Sequence, residues 1–146
     1  MSVTITGAGG IQRRLKKVNK QIALSPKRII KTVSEARNRM RKRTNKGLNA
    51  TGGSFKALNS IYADYKSKKM RKPIPNLHFN GEMLNAMTVK RIKDGAEIYF
   101  NSEMQRKKAQ AHHFGRGVPR RSFFRLGKKI EKYIFTEFRK PIKKAL

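Results

Sequence analysis

The sequence predicts an α+β fold in which several basic amphipathic helices, the last of them long, pack with a small antiparallel β-sheet. Three observations carry that reading. Apolar residues recur at three- and four-residue spacings near both ends of the chain, the mark of helices with one buried stripe. Asp94-Gly95 stands between two β-rich runs, a strong short-range hairpin signal. No internal repeat and no clean second domain interrupt the 146 residues, a length suited to one core, so residues 1–146 read as a single domain.

The elements follow in order. Val3-Thr4-Ile5 is a β-branched run closed by Gly7, Gly9 and Gly10, which suits an edge strand and a turn. Ile11, Leu15, Val18 and Ile22 lay one stripe along a helix. Ser25-Pro26 starts the next helix, since Ser caps free N–H groups and Pro suits the first helical position. Ile29, Val33, Ala36 and Met40 repeat the stripe, and Asn45 and Gly47 are terminators. The loop LNATGGS precedes a short helix from Ala57 to about Met70, with Leu58, Ile61, Tyr62 and Tyr65 on one side. Pro73 and Pro75 then enforce an extended connection.

Gly81 to Met87 has room for one or two helical turns before the hairpin. In its second strand Ala96, Ile98 and Phe100 share a face, with Glu97 and Tyr99 opposite. Asn101 to Ala111 is polar and partly helical, and Gly115 to Arg121 is a loop. Leu126, Ile130, Tyr133, Ile134 and Phe138 mark a C-terminal helix kinked or ended near Pro141.

Charge dominates the composition: 37 Lys plus Arg against 8 Asp plus Glu, a formal +29. Such an excess repels itself in a compact state, so a negative partner is expected nearby. Enzymatic chemistry finds no support. The carboxylates are scattered singly, and His112 and His113 are adjacent and point apart, so no metal centre and no cofactor are expected. Nucleophile-elbow, Walker and zinc-protease patterns are missing from the sequence. No apolar run reaches the roughly 20 residues that span a bilayer. The apolar stripes are narrow and lack Trp, which favours a folded core over a membrane surface.

Basic residues gather in three clusters. Arg37, Arg39, Arg41, Lys42 and Arg43 crowd one helix end, Lys66, Lys68, Lys69, Arg71 and Lys72 a second, and Arg116, Arg120, Arg121 and Arg125 a third. They are contact candidates for DNA or an acidic protein. No base-reading motif accompanies them, so DNA contact would be electrostatic and independent of sequence. A free DNA-binding protein acting through basic helices is therefore one functional expectation. Phe123-Phe124 leads into a helix and reads as core rather than as a base-stacking platform.

Several further segments stand in an order shared with one protein family. Gly52-Gly53-Ser54-Phe55-Lys56-Ala57-Leu58 followed by Tyr62, Tyr65 and Lys66 is similar to one family segment. Leu77-His78-Phe79-Asn80-Gly81-Glu82-Met83-Leu84 is similar to a second, and a hairpin follows. His112-His113-Phe114-Gly115, Pro119-Arg120 and Phe123-Phe124 complete the order, which is strongest from Gly53 to Leu126. With the opening Val3-Thr4-Ile5-Thr6-Gly7, that order resembles the virion morphogenesis, or tail-completion, proteins of tailed bacteriophages and their related neck components, while the charge exceeds the family's usual level.

That resemblance implies a structural virion protein, not an enzyme, assembled in the host cytoplasm. It would form a ring of six or twelve copies at the head–tail junction. Portal or adaptor, tail terminator and tail tube proteins would be its partners, and phage DNA would pass its lumen. The resemblance, together with their apolar character, also implies that Leu77, Phe79, Met83, Leu84, Phe114 and Phe123 are largely core.

Overall fold

A computed structural model describes residues 25–70, 73–78, 80–93 and 95–145. The expected Val3–Ile5 strand and the Ile11–Ile22 helix lie outside these residues, as do Arg71, Lys72, Phe79 and Asp94. The elements run α1 (Pro26–Asn45), α2 (Ser60–Met70), α3 (Glu82–Asn85), β1 (Met87–Ile92), β2 (Gly95–Phe100), α4 (Glu103–Phe114) and α5 (Lys128–Ala145), an α+β arrangement.

Helix α1 begins where the sequence signals it: the Ser25 hydroxyl oxygen accepts from the Arg28 N–H at 3.3 Å, and Pro26 opens the first turn. Its buried line, however, is Thr32, Ala36, Met40 and Thr44 rather than the purely apolar stripe. Threonine is tolerated there because the Thr44 hydroxyl donates to the Met40 carbonyl at 2.9 Å, which satisfies it within the helix. That line packs on the hairpin and on α5.

The hairpin pairs Met87 with Phe100, Val89 with Ile98 and Arg91 with Ala96. This puts Met87, Ile98 and Phe100 on the core side. The other face pairs Lys90 with Glu97 at 3.3 Å, and the Lys90 ammonium lies 4.8 Å from the Tyr99 ring centre. Gly95 stands opposite Ile92, so it opens β2 instead of occupying the turn.

One cluster forms the centre: Ala36, Met40, Phe55, Met83, Leu84, Met87, Ala109, Phe123 and Ile130. Phe123 is its largest fully buried side chain. Phe124 leans on Phe100, ring centres 5.1 Å apart, and His113 stands edge-on to Phe123 at 6.2 Å. Leu77 is only partly buried at the cluster's margin and holds a left-handed backbone, φ 54°.

Phe114 departs from its expected core position, being 56% exposed. It is the last residue of α4, and Gly115 ends the helix in the left-handed region at φ 76°. That turn directs the chain away with the Phe114 ring outside, edge-on to His113 at 4.8 Å. Helix α2 also inverts its expected polarity. It starts at Ser60 rather than Ala57, and Ile61, Tyr62 and Tyr65 are exposed while Lys66 is buried. The Lys66 ammonium causes this by donating to the Ile74 carbonyl and the Asn76 Oδ1, both at 2.7 Å.

Helix α5 begins after Leu126 and continues through Pro141 to Ala145, so the proline does not end it. A proline has no N–H to give the carbonyl four residues back. That carbonyl belongs to Glu137, and it accepts from Arg28 Nη2 at 2.7 Å. A residue of α1 thus takes the place of the missing helical bond and ties the two helices together.

Gly127, just before α5, has φ 74°, and a Cβ there would overlap the Ala50 carbonyl oxygen. The close approach joins the 48–54 loop to the α5 entry, where Ala50 N–H also donates to the Ser122 carbonyl at 3.1 Å.

Two outcomes follow for urea denaturation. Phe123→Ala should cost about 3–5 kcal/mol and Phe114→Ala less than about 1 kcal/mol, since only the first empties a buried site. Arg28→Met should cost about 1.5 kcal/mol in the native background. In a Pro141→Ala background it should cost clearly less, because an alanine at that position supplies the N–H that the Glu137 carbonyl otherwise lacks. Equal costs in both backgrounds would contradict the substitution of one donor for the other.

Candidate functional site

The three basic clusters split between surface and interior. Lys42, Lys68, Lys69, Arg116 and Arg120 are exposed. Arg37 binds the neighbouring Asn38 side chain at 3.0 Å, and Arg41 binds Asn85. Arg39 is exposed but engaged, 3.1 Å from Glu35 and stacked 3.9 Å from the Tyr133 ring centre. Arg116 lies 5.5 Å from the Phe114 ring, and the Arg120 Nε donates to Ser122 at 3.3 Å. Pro119 is exposed, and the Gly115 turn before it is tight: a Cβ there would stand 2.9 Å from that of Arg120.

Arg43 and Arg121, read from sequence as contact residues, turn inward. The Arg43 guanidinium donates to the carbonyls of Phe123, Arg125 and Leu126 at 2.8, 2.6 and 2.7 Å. It therefore clamps the segment leading into α5 and is not available to an outside partner. Arg121 is 5% exposed, and its Nε is buried without an acceptor. Its one side-chain bond to the protein runs to the Lys56 carbonyl at 3.5 Å, a long contact.

Arg121 lines a pocket of about 280 Å³ between α2, α4 and the 75–83 segment. Lys66, Lys108, His78 and His112 also line it, with Tyr62 and Leu77 among its apolar walls. Among the described residues, no carboxylate is part of that lining. Glu82, the nearest acid by bonding, accepts from the Gln105 amide at 3.2 Å. Gln105 Oε1 and His112 Nδ1 are themselves buried without partners. The exposed clusters were legible as Lys and Arg runs. This site was not, because Lys66, Lys108, His112 and Arg121 come from three separate stretches.

Electrostatics there follow from burial without counter-charge. Burial, then the charge of Arg121, lowers both the Lys66 and the His112 pKa below their usual values. Burial lowers Arg121 too, opposed by Tyr62. His113 is lowered by burial, then by Arg125 and Arg120, and its Nδ1 accepts from the Phe124 N–H at 3.3 Å. That bond needs the neutral ring, so His113 serves as a brace for the aromatic pair.

Among the described residues, no three His, Cys, Asp or Glu side chains converge as a metal centre would need, and no helix is long and apolar enough to cross a membrane. No protein-family model, curated protein or solved structure matches the chain.

The depressed histidines give a pH dependence of definite sign. The unfolded chain takes up protons near the ordinary value of 6.5 while the folded chain resists them. Stability is thus present above about pH 6.5 and is lost as pH falls from there toward 5. Urea midpoints in phosphate-free buffer should decline over that window. The decline should be shallower in His112→Asn, and a wild-type midpoint flat from pH 7 to 5 would contradict it.

Proposed function

We propose that this protein is a structural subunit of a tailed-phage particle, forming a ring at the head–tail junction that completes the tail and joins it to the head connector. The observation that carries the reading is where the family-like segments meet. Phe55, Met83 and Phe123 come from three separate segments of the resemblance and pack in one cluster. Gly81 opens α3 and Gly115 closes α4, on either side of the hairpin that the resemblance also expects. The order in sequence is thus the order of one packed unit.

Two features suit assembly. Among the described residues no third strand pairs with the hairpin, and the outer edge of each strand is a candidate for pairing with another copy. A ring needs a heterologous interface whose rotation closes, and strand addition at an edge is one way to build it. The exposed cations of α1, α2 and the 116–120 loop would face DNA in the lumen or acidic rings of portal, adaptor, tail terminator or tail tube.

The same cations favour a second reading, a free protein that coats DNA without reading its sequence. Light scattering at low and high salt, with and without duplex DNA, separates the two. The ring subunit should give discrete copies of six or twelve, or a monomer that ignores DNA at physiological salt and closes on connector proteins. Tight DNA binding whose logarithm falls steeply with that of salt, with no closed ring, would favour the second.

A further inference from the structure

We propose that the pocket lined by Lys66, Lys108, His112 and Arg121 binds a phosphate group, either free or as a small monoester. The site is built rather than incidental. Lys66 is 3% and Arg121 5% exposed, so two formal cations are held out of water in one place. Buried charges normally come with an opposite charge, and among the described residues no carboxylate lines this pocket.

The free donors point to the class of ligand. Arg121 commits only Nη2, to the long Lys56 contact at 3.5 Å, and a planar guanidinium presents its remaining N–H groups as a fork that matches two oxygens of one oxyanion. Lys66 uses two of its three N–H groups on Ile74 and Asn76. Two buried cations, with Lys108 exposed beside them, suit a dianion better than a single carboxylate. At about 280 Å³ the pocket has room for more than the head group, against the apolar surfaces of Tyr62 and Leu77.

The site does not depend on the particle assignment; a ring subunit and a DNA-coating protein could each carry it. Isothermal titration of the full chain with inorganic phosphate and with phenyl phosphate, in chloride buffer at constant ionic strength, tests it. One saturable site per chain is expected. Tighter binding of phenyl phosphate identifies a monoester as the ligand, and equal or weaker binding identifies free phosphate. Lys66→Met and Arg121→Lys should each weaken binding by about tenfold or more, the second because it keeps charge but loses the fork.

Lys108 is exposed, so Lys108→Ala should fold, and it decides the matter if the buried variants do not. It should weaken binding about threefold, as a partly screened charge would, while Arg91→Ala on the hairpin leaves binding unchanged. No saturable binding, or equal losses in Lys108→Ala and Arg91→Ala, would overturn the proposal.

Discussion

The structure rests on a shortage of carboxylates. With 37 cations and 8 acids, any cation that the fold buries must find its counter-dipole elsewhere. It finds it in the backbone. Arg28 takes the Glu137 carbonyl, Arg43 those of Phe123, Arg125 and Leu126, Lys66 that of Ile74, and Arg121 reaches toward that of Lys56. Each of these bonds joins segments that no described ion pair joins. Arg28 connects α1 to α5, Arg43 connects α1 to the α5 entry, and Lys66 connects α2 to the 74–76 turn. Charge-assisted bonds to carbonyls are among the stronger hydrogen bonds. Guanidinium is also less firmly hydrated than ammonium, so arginine is the easier residue to place there. The ion pairs that do form, such as Lys107 with Glu103, lie on the exposed surface and add little.

Much of the architecture was legible in the sequence because it depends on local rules. Ser25-Pro26 marks the start of α1 by capping chemistry. The hairpin declares itself by β-rich runs around a turn, and its face alternation follows from the strand period. The C-terminal stripe of Ile130 and Ile134 meets the core as helical spacing requires. What could not be read depends on tertiary partners. Pro141 stops a helix only if the freed carbonyl stays unpaired, and Arg28 supplies the donor from more than a hundred positions away. Thr32 and Thr44 look polar in a list of residue types but sit on the buried line of α1. Phe114 looks like core by composition, and a left-handed glycine one residue later keeps it outside.

The functional residues divide along the same line. Runs of Lys and Arg revealed where positive charge lies on the surface, but not which members were already committed to the fold. Arg43 and Arg121 belong to such runs, and the fold uses one as a clamp and sets the other in a pocket. What remains outside is a surface whose acids are largely occupied on their own helices and hairpin, so its positive field stays available to a partner. The two sets are separable: losing an outer lysine should alter association, whereas losing an inner arginine should alter the protein itself.

The central claim is that Arg28, Arg43 and Arg121 are held in place by the fold, each with a buried Nε. Nitrogen-15 relaxation of the arginine Nε–H groups addresses it directly. Order parameters for these three should lie near the rigid-backbone value of about 0.85, with Arg91 and Arg125 below about 0.6. Uniformly low values across all five side chains would show that the carbonyl clamps do not hold and would contradict the account.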